Sequence, residues 1–243
     1  MLTVCVVFGQ VTTNGVFTAM EKTGAPVYNV ISKGVKPNST PITLGKTYVM
    51  NRSSYGVTTT TNDTVTFQFS NGLTMKIGTN SNFIMNDFQQ ELLNPNTEPA
   101  KAKFGTHILS MTLLDGEGTF VFSGGDSNSS CVVSTPLVDI ELMEGEFYFR
   151  CSDKGVGVFV TKGTLKYHAE HGRSSVVEAG KAVMAAPIQF QNKMLDDKVF
   201  LNTKKVKPAE LKWIEVETKT LTAIPNKVIF SVVNGSVVGV IID

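Results

Sequence analysis

The sequence is poor in the residues that carry charge or reactive chemistry. Charged residues make up 18% of its 243 residues, below the roughly 25% of an average globular domain. It holds three histidines, three cysteines and one tryptophan. Its 22 basic and 21 acidic side chains form no basic stripe, which argues against a nucleic-acid partner. No apolar run approaches the roughly 20 residues of a transmembrane helix, so no membrane span is predicted.

The cysteines have no metal-binding or redox spacing. Cys5, Cys131 and Cys151 form no CxxC pair. The apolar start "MLTVCVVFG" has the length of a signal core but no basic residue before it. Residues 1–26 are therefore interpreted either as the remnant of an export signal or as an N-terminal strand. If Cys5 leaves with a signal, Cys131 and Cys151 could form a disulfide, and two separate buried thiols are the alternative.

What the sequence has in abundance is strand periodicity. Hydrophobic residues make up 42% of the chain, enough for a sizeable core, and they recur at every second position. In the segment 65–77, "VTFQFSNGLTMKI", the apolar faces of two strands coincide only if Phe69 pairs with Leu73 across a three-residue loop. The pattern therefore predicts a hairpin with Gly72 in a left-handed conformation.

The same alternation continues to about residue 186 and predicts an all-β fold. Leu109, Met111 and Leu113 share one face before the "DGEG" turn signal, and Phe147 and Phe149 share one after Gly145. Turn glycines at 145, 163 and 180 follow one another at intervals of 18 and 17 residues. Two short strands and two corners per interval are typical of a β-helix or β-solenoid-like winding, with an irregular β-sandwich as the alternative.

Three segments depart from this pattern. Residues 94–105 are polar and contain proline, which predicts a mobile loop. Residues 207–217, "KPAELKWIEVE", predict a short helix with Pro208 in its first turn. Asn234-Gly235 between valine-rich runs predicts a hairpin from Val228 to Ile242. Because this hairpin is uncharged, we expect it to pack on the main domain or to be held by a partner, including a second copy.

The densest group of metal-ligand residues is "HAEH", 168–171. On a strand His168 and Glu170 would share a face while His171 points away, and Gly172 indicates a turn. Zinc would need a third ligand, and His107 lies on a different strand. The segment is interpreted as a solvated turn, and no metal site is predicted.

Other motifs are incomplete. Ser127 in "GGDSNSS", 124–130, resembles the nucleophile block of some esterases, but no Asp stands three residues before any histidine. A flexible serine-rich turn is the prediction. Lys22-Thr23-Gly24 lacks the S-x-x-K of a β-lactamase, and Gly155-Val156-Gly157 lacks the third glycine of a dinucleotide fingerprint. No cofactor site is predicted.

The acids of "STPLVDIELMEGEFYFRC", 134–151, are candidates for a catalytic site. Asp139 and Glu141 fall on the polar face of an amphipathic strand, and Glu144 and Glu146 flank Gly145. A catalytic carboxylate pair needs two different environments that separate the pKa values of its members. Side chains alternating with a core suit water instead, so no catalytic residue is predicted.

Four blocks of the sequence, in order, resemble the FecR-domain family. They are a strand, an Asn-Gly turn and further strands with an Asn-Ser motif in 65–90, strand-glycine-strand in 111–122, Thr135-Pro136 followed by Gly145 and Phe147 in 132–149, and a glycine-punctuated ending in 158–183. The resemblance spans about residues 27–186. One position departs from it, because Glu146 stands where the family usually has threonine.

The resemblance implies a mostly β-helical, extracytoplasmic domain (periplasmic or secreted) without catalytic residues. The expected organisation is a FecR-like β domain at 27–186 and a C-terminal extension at 187–243. The family's anti-sigma segment and membrane helix have no counterpart in this sequence, so signalling by iron dicitrate is not transferred. The expected function is a non-enzymatic protein-interaction or envelope module whose partner is another protein at the envelope or surface.

Two alternatives stay open. A carbohydrate-binding or accessory module would need a row of exposed aromatic rings, for which Trp213, Tyr148 and Tyr167 are the candidates. A hydrolase would be built around Ser127.

Overall fold

The computed structural model describes residues 11–32, 36, 38–51, 53–93, 100–168, 174–190, 193–205, 228–233 and 236–241. All regular secondary structure in these ranges is β-strand, which confirms the predicted all-β class. No helix in the same ranges is long and apolar enough to cross a membrane. The predicted helix at 207–217 lies outside the described residues.

Nineteen strands are described. The first ten are β1 Val11–Asn14, β2 Val16–Thr23, β3 Val27–Ile31, β4 Thr40–Pro41, β5 Thr47–Val49, β6 Ser54–Thr58, β7 Thr64–Phe69, β8 Thr74–Ile77, β9 Asn82–Leu92 and β10 Ala100–Lys101. The others are β11 Phe104–Ser123, β12 Ser130–Ser134, β13 Asp139–Ser152, β14 Gly155–His168, β15 Ser174–Glu178, β16 Lys181–Phe190, β17 Lys193–Lys205, β18 Val228–Val233 and β19 Ser236–Ile241.

Sixteen of these strands form one continuous open sheet, and β10, β18 and β19 form a second, smaller sheet. Every described pairing is antiparallel except β11 with β12, which is parallel. Antiparallel pairing of this kind is typical of the irregular sandwich, the alternative that the sequence left open. The β11–β12 connection is the one place among these pairings where the chain winds back parallel to itself, as a coil of a β-helix would.

The three longest central strands change partners halfway along, which folds the sheet into two layers. The first half of β11 pairs with β9, and its second half pairs with β8 and β13. Likewise β13 begins beside β12 and ends beside β11, while β14 begins beside β16 and ends beside β15. Strands that pass from one layer to the other form the corners of a sandwich.

A single large core lies between the two layers. Phe69 of β7 and Phe88 of β9, two strands that do not pair, meet there with ring centroids 5.9 Å apart. Phe83 of β9 lies 6.2 Å from Phe120, which is in the half of β11 that pairs with β8 and β13. The predicted core positions Phe67, Phe147 and Phe149 are buried. Alternate positions along the strands therefore fill the interior, as the periodicity predicts.

The prediction that Gly145 and "DGEG" form turns between strands is wrong, because both are bends within a strand. Both sites lie inside long strands, at bends with irregular register, and Gly145 is paired with Gly163. At Gly116 φ is +94°, and the backbone bends against Ser81, whose hydroxyl accepts from Glu117 N at 2.8 Å. A β-bulge needs the same permissive residue as a turn, so glycine alone does not distinguish the two.

The hairpin at 65–77 is confirmed with its predicted loop length. Phe69 N donates to Leu73 O at 2.8 Å, and Gly72 has a φ of +85°. Thr135 makes the turn between β12 and β13, because its hydroxyl donates to Val138 O at 2.8 Å and accepts from Val138 N.

The C-terminal hairpin packs on the main domain. β18 and β19 pair with Val233 opposite Ser236, and Gly239 N donates to the hydroxyl of Thr47 at 3.1 Å. Phe230 and Val232 are buried in a cluster with Val16. Of the two expected situations, packing on the domain is the one observed, and self-association stays a prediction.

The interpretation of 94–105 as a loop is wrong in part. Residues 94–99 lie outside the described residues, but β10 pairs with β18 and Ala102 is buried in the hairpin's cluster. Strands β16 and β17 carry the main sheet past residue 186, where the sequence places the end of the β domain. Residues 11–23 of the N-terminal segment supply strands β1 and β2 of the same sheet.

Candidate functional site

The first layer includes β12, β15, the first halves of β11 and β13 and the second half of β14. Its exposed side is five strands wide, and we call it the outer face. Its middle row runs across β11 to β15, each residue opposite the next, through Ser110, Val132, Glu141, Lys166 and Val176. The rows on either side contain Thr112, Ser134, Asp139, His168 and Ser174, and Ile108, Ser130, Thr164 and Glu178. Because side chains alternate along a strand, these residues are the neighbours of core positions and point to solvent.

An ion-paired cluster lies at the centre of the outer face. The carboxylate of Glu141 lies 3.6 Å from Lys166 Nζ and 3.2 Å from His168 Nε2. The side chains of Glu141 and His168 are 29% and 42% exposed, so the cluster is open to water rather than enclosed in a cleft. The structure thus brings together two of the residues weighed in the sequence, on different strands, in a setting that screens their charges.

The other three acids of residues 134–151 lie outside the ion-paired cluster. Asp139 and Glu144 are exposed, and Glu146 lies on the opposite layer, 3.9 Å from Lys162 Nζ. This agrees with the predicted polar face. Glu146, the position that departs from the FecR pattern, sits in the bulge beside Gly145, where its carbonyl accepts from Thr161 Oγ1 at 3.0 Å.

Large apolar side chains are exposed around this cluster. Val176, Ile108 and Met143 are 60%, 52% and 45% exposed, and all three extend from strands of the first layer. Met143 is held beside Thr164, whose hydroxyl lies 3.7 Å from its Sδ. Large apolar side chains exposed close together on a surface mark a site of protein contact. The charged cluster between them departs from the common arrangement of an apolar centre and a polar rim.

A pocket of about 340 Å³ opens at one end of the outer face. It lies between the loop 124–129, which carries the chain from one layer to the other, and the bulge of β13. Its lining consists of a serine-rich rim, carboxylates and an apolar floor, contributed by His107, Phe122, Ser123, Gly124, Gly125, Asp126, Ser127, Ser129, Ser130, Cys131, Glu141, Leu142, Met143 and Glu144.

Asp126 organises the loop that covers the pocket. Its carboxylate accepts from Ser129 Oγ at 2.8 Å, from Asn128 N at 3.1 Å and from Thr106 Oγ1 at 3.2 Å. These bonds stabilise the charged form, and the one from the Ser129 hydroxyl contributes most to lowering the pKa of Asp126 below its ordinary value. Asp126 is therefore engaged in holding the turn.

His107, which in the sequence stands out only as an unsuitable third zinc ligand, is a buried member of the pocket. Its side chain stands edge-on to Phe122, with centroids 5.7 Å apart, and only 4% of the residue is exposed. Burial lowers its pKa, and the nearby charge of Asp126 offsets this in part. Within the described part of the chain, its Nε2 has no hydrogen-bond partner. No signal in the sequence joins His107 to the loop, because the contact depends on the loop after β11 returning to the start of that strand.

Ser127 and His107 line one pocket without forming a nucleophile–base pair. Ser127 is exposed on the loop, and the Nε2 atom that would take its proton has no hydroxyl within hydrogen-bond distance among the residues described. Ser129 accepts from the backbone amide of His107 at 3.1 Å and donates to Asp126. The hydrogen bonds present are those of a turn.

The "HAEH" segment is only partly described. His168 pairs with Glu141, whereas Glu170 and His171 lie outside the described residues. No group of three or more His, Cys, Asp or Glu side chains with metal-binding geometry occurs in the ranges given above.

The two described cysteines are separate buried thiols. Cys131 and Cys151 are both free, and Cys151 Sγ donates to Leu114 O at 3.3 Å. Burial, with a smaller contribution from the charge of Asp115, raises the pKa of Cys151 to about 11. Of the two alternatives in the sequence, the structure therefore has the thiols and not the disulfide.

The aromatic candidates for sugar stacking do not form a platform. Tyr148 is 4% exposed and packs with Phe159, and Tyr167 is partly buried against the main core. Trp213 lies outside the described residues. Two other rings, those of Tyr28 and Tyr48, lie 5.1 Å apart beneath the ammonium of Lys46. The sequence does not indicate them as a binding site.

The two short glycine motifs lie in a turn and in a strand of the fold. Lys22 Nζ donates to Ile42 O at 2.7 Å, and Gly24 has a φ of +64° in a turn next to Asp63. Gly155 and Gly157 lie in β14, paired with β13 and β16.

Comparisons with known proteins give weak likenesses in fold. No family model matches the sequence, and no curated protein matches it. A crystal structure at 1.65 Å resolution, described as a "putative anti-sigma factor" from Parabacteroides distasonis ATCC 8503, has a TM-score of 0.44 and 12% identity. That match covers 65% of this chain and 64% of the other, so this chain spans slightly less than two thirds of its length.

A second crystal structure, at 2.50 Å resolution and with the same description and organism, has a TM-score of 0.42 and 9% identity. It covers 78% of this chain and 100% of the other. Likenesses of this size carry no inference about function.

Proposed function

We propose that this chain is a FecR-like, non-enzymatic interaction domain that works outside the cytoplasm and binds another protein through its outer face. The observation that carries the proposal is the composition of that face, where Ile108, Met143 and Val176 are exposed around the Glu141–Lys166–His168 cluster. Exposed apolar side chains supply affinity when a partner covers them, and the charged centre supplies specificity.

The motif residues of the FecR resemblance support the proposal through their structural positions. Gly72, Thr135, Gly145, Gly163 and Gly180 all lie in turns or bulges of the continuous sheet. The resemblance is therefore carried by residues that shape the sheet, and a shaped sheet surface is what a binding domain has to present.

The experiment is photo-crosslinking in the native host. A photoreactive amino acid is placed at Val176, at Ile108 and, as a matched control, at Arg150, which is exposed on the opposite layer. The proposal predicts an adduct of the same mass from Val176 and Ile108 and none from Arg150. Adducts from all three positions, or from none, would contradict it.

The location is tested separately. An alkaline phosphatase joined to residue 243 is active only outside the cytoplasm, so the proposal predicts high phosphatase activity. Low activity from a stable fusion would contradict the extracytoplasmic location without bearing on the outer face.

A further inference from the structure

The pocket at the end of the outer face has the chemistry of a small-molecule site, distinct from the docking of a protein partner. We propose that it binds a neutral small molecule with several hydroxyl groups, of the size of one sugar ring, between the loop 124–129 and the bulge of β13. Its volume of about 340 Å³ lies near the lower end of the range for ligand pockets.

A buried nitrogen atom beside the pocket needs a hydrogen-bond partner. His107 is 4% exposed, and its Nε2 has no hydrogen bond within the part of the chain that the structure describes. Buried polar atoms are nearly always paired, with protein or with an ordered molecule. His107 lines the pocket, but its Nε2 has less than 1 Å² of exposed surface. A hydroxyl of a bound molecule is therefore a suitable partner for this nitrogen once it displaces the atoms that cover it.

The second argument is the number of neutral groups around the rim. Ser123, Ser127, Ser129 and Ser130 line the pocket. The Ser129 hydroxyl is already engaged with Asp126 and the His107 amide, and the other three hydroxyls can each donate and accept. A ligand that presents hydroxyl groups meets such a rim in either direction, whereas an anion or a cation would use only one of the two.

The third argument is that two of the three carboxylates are already engaged. Asp126 accepts from Ser129, Asn128 and Thr106, and Glu141 lies beside Lys166 and His168. Glu144 then remains as an exposed acceptor at the mouth. This balance favours an uncharged ligand over a cation.

The floor of the pocket is apolar, which favours a ligand that has an apolar face. Phe122 and Leu142 are buried beneath the pocket, and Met143 is 45% exposed at its edge. A sugar ring has one apolar face of C–H groups and a polar rim, so it matches an apolar floor surrounded by hydroxyls.

The experiment is an NMR titration of the isotope-labelled full chain. The neutral probes are glucose, galactose, N-acetylglucosamine and inositol, and the charged probes are glucosamine and glucuronate. At least one neutral probe is expected to give saturable shifts of the Gly125 and Ser127 amides and of the His107 ring nitrogens at concentrations up to about 100 mM.

Two exposed positions of the same loop provide matched variants. Ser127→Tyr places a large side chain at the mouth of the pocket and should abolish the response. Asn128→Tyr changes a neighbouring residue that lines a second hollow, which shares only His107 with the pocket, and should leave the response of the Gly125 and Ser127 amides intact. His107→Gln should weaken binding about tenfold, since a hydrogen bond is worth roughly that factor.

Three results would overturn the proposal. The first is the absence of a saturable shift with every neutral probe, which is the result expected if the partner of His107 is water. The second is a response only to the charged probes. The third is a response in Ser127→Tyr equal to that of the unaltered chain, with both variants shown to be folded by their amide spectra.

Discussion

Gly145 lies directly opposite Gly163 at the bend shared by β13 and β14. Gly163 has a φ of +73°, and a Cβ added to it would overlap the carbonyl oxygen of Glu144. A Cβ on Gly145 would in turn overlap the carbonyl oxygen of Lys162. The two chains approach so closely here that neither strand could pass from one layer to the other with a side chain at the crossing.

Gly163→Ala is therefore expected to destabilise the fold by at least about 3 kcal/mol, since backbone strain and a displaced carbonyl both contribute. Gly180→Ala is the matched control. It has a similar φ of +80°, but nothing lies within 4 Å of an added Cβ, so only strain of about 1–2 kcal/mol is expected. Urea unfolding measures both, and equal losses would contradict the close approach.

Phe67→Ala and Phe147→Ala should each cost about 3–5 kcal/mol, because both rings are buried between the layers and their removal leaves a cavity. The check is the midpoint of urea unfolding at constant slope. A loss under about 1 kcal/mol from either variant would show that the interior at that ring is not close-packed.

Glu141→Gln should change the free energy of unfolding by less than about 1 kcal/mol, although the carboxylate has two partners. Lys166 and His168 are 37% and 42% exposed at the side chain, so water competes for each contact. Chemical denaturation in low and in high salt tests this. A loss as large as that of the phenylalanine variants would mean that the carboxylate is enclosed, and would reopen the question of catalysis.

Much of the fold follows from the sequence because the period of two is a local signal. The pairing of Phe69 with Leu73 depends only on which side chains must share a face, and it was predictable. The bends at Gly116 and Gly145 were not, because a glycine that ends a strand and one that kinks it look alike. The difference depends on what lies opposite, and Ser81 is 35 residues from Gly116.

The outer face was predictable residue by residue but not as a surface. The alternation places Glu141 and Lys166 outside their strands, and only the register brings them together with Val176 from β15. His107 was missed for a related reason. Its neighbours in the sequence give no hint that the loop after β11 returns over it, because that return is the single parallel connection among the described strands.

Asp63 should make stability depend on pH in the acid range. The Thr60 hydroxyl, then the Ala25 and Thr60 amides, donate to its carboxylate and lower its pKa. A lowered pKa means that the stabilisation is full above the unfolded value of about 3.9 and is lost as the pH falls towards the folded value.

The measurement compares the unaltered chain with Asp63→Asn at about pH 5 and pH 3. The variant should be less stable at the higher pH, and the difference should shrink at the lower one. A difference that is the same at both pH values would show that the bonds, and not the charge of Asp63, account for the effect.

His107 should give a second pH dependence, closer to neutrality. Burial lowers its pKa, so the unfolded chain takes up a proton near the ordinary histidine value of about 6.5 while the folded chain stays neutral there. Its contribution to stability is therefore full above about pH 6.5 and is lost as the pH falls through the lowered pKa. The charge of Asp126 favours the imidazolium and partly offsets the lowering of the pKa of His107. The pH range over which this stability is lost is therefore smaller than burial alone would give.

Variants test whether His107 causes this pH dependence. Between about pH 7 and pH 5 the unaltered chain should lose more stability than His107→Gln, which cannot take up the proton. His168→Gln, altered at an exposed position beside Glu141, should keep the slope that His107 causes. A slope that persists unchanged in His107→Gln would contradict the prediction, because the imidazole beneath the 124–129 loop would then not be its cause.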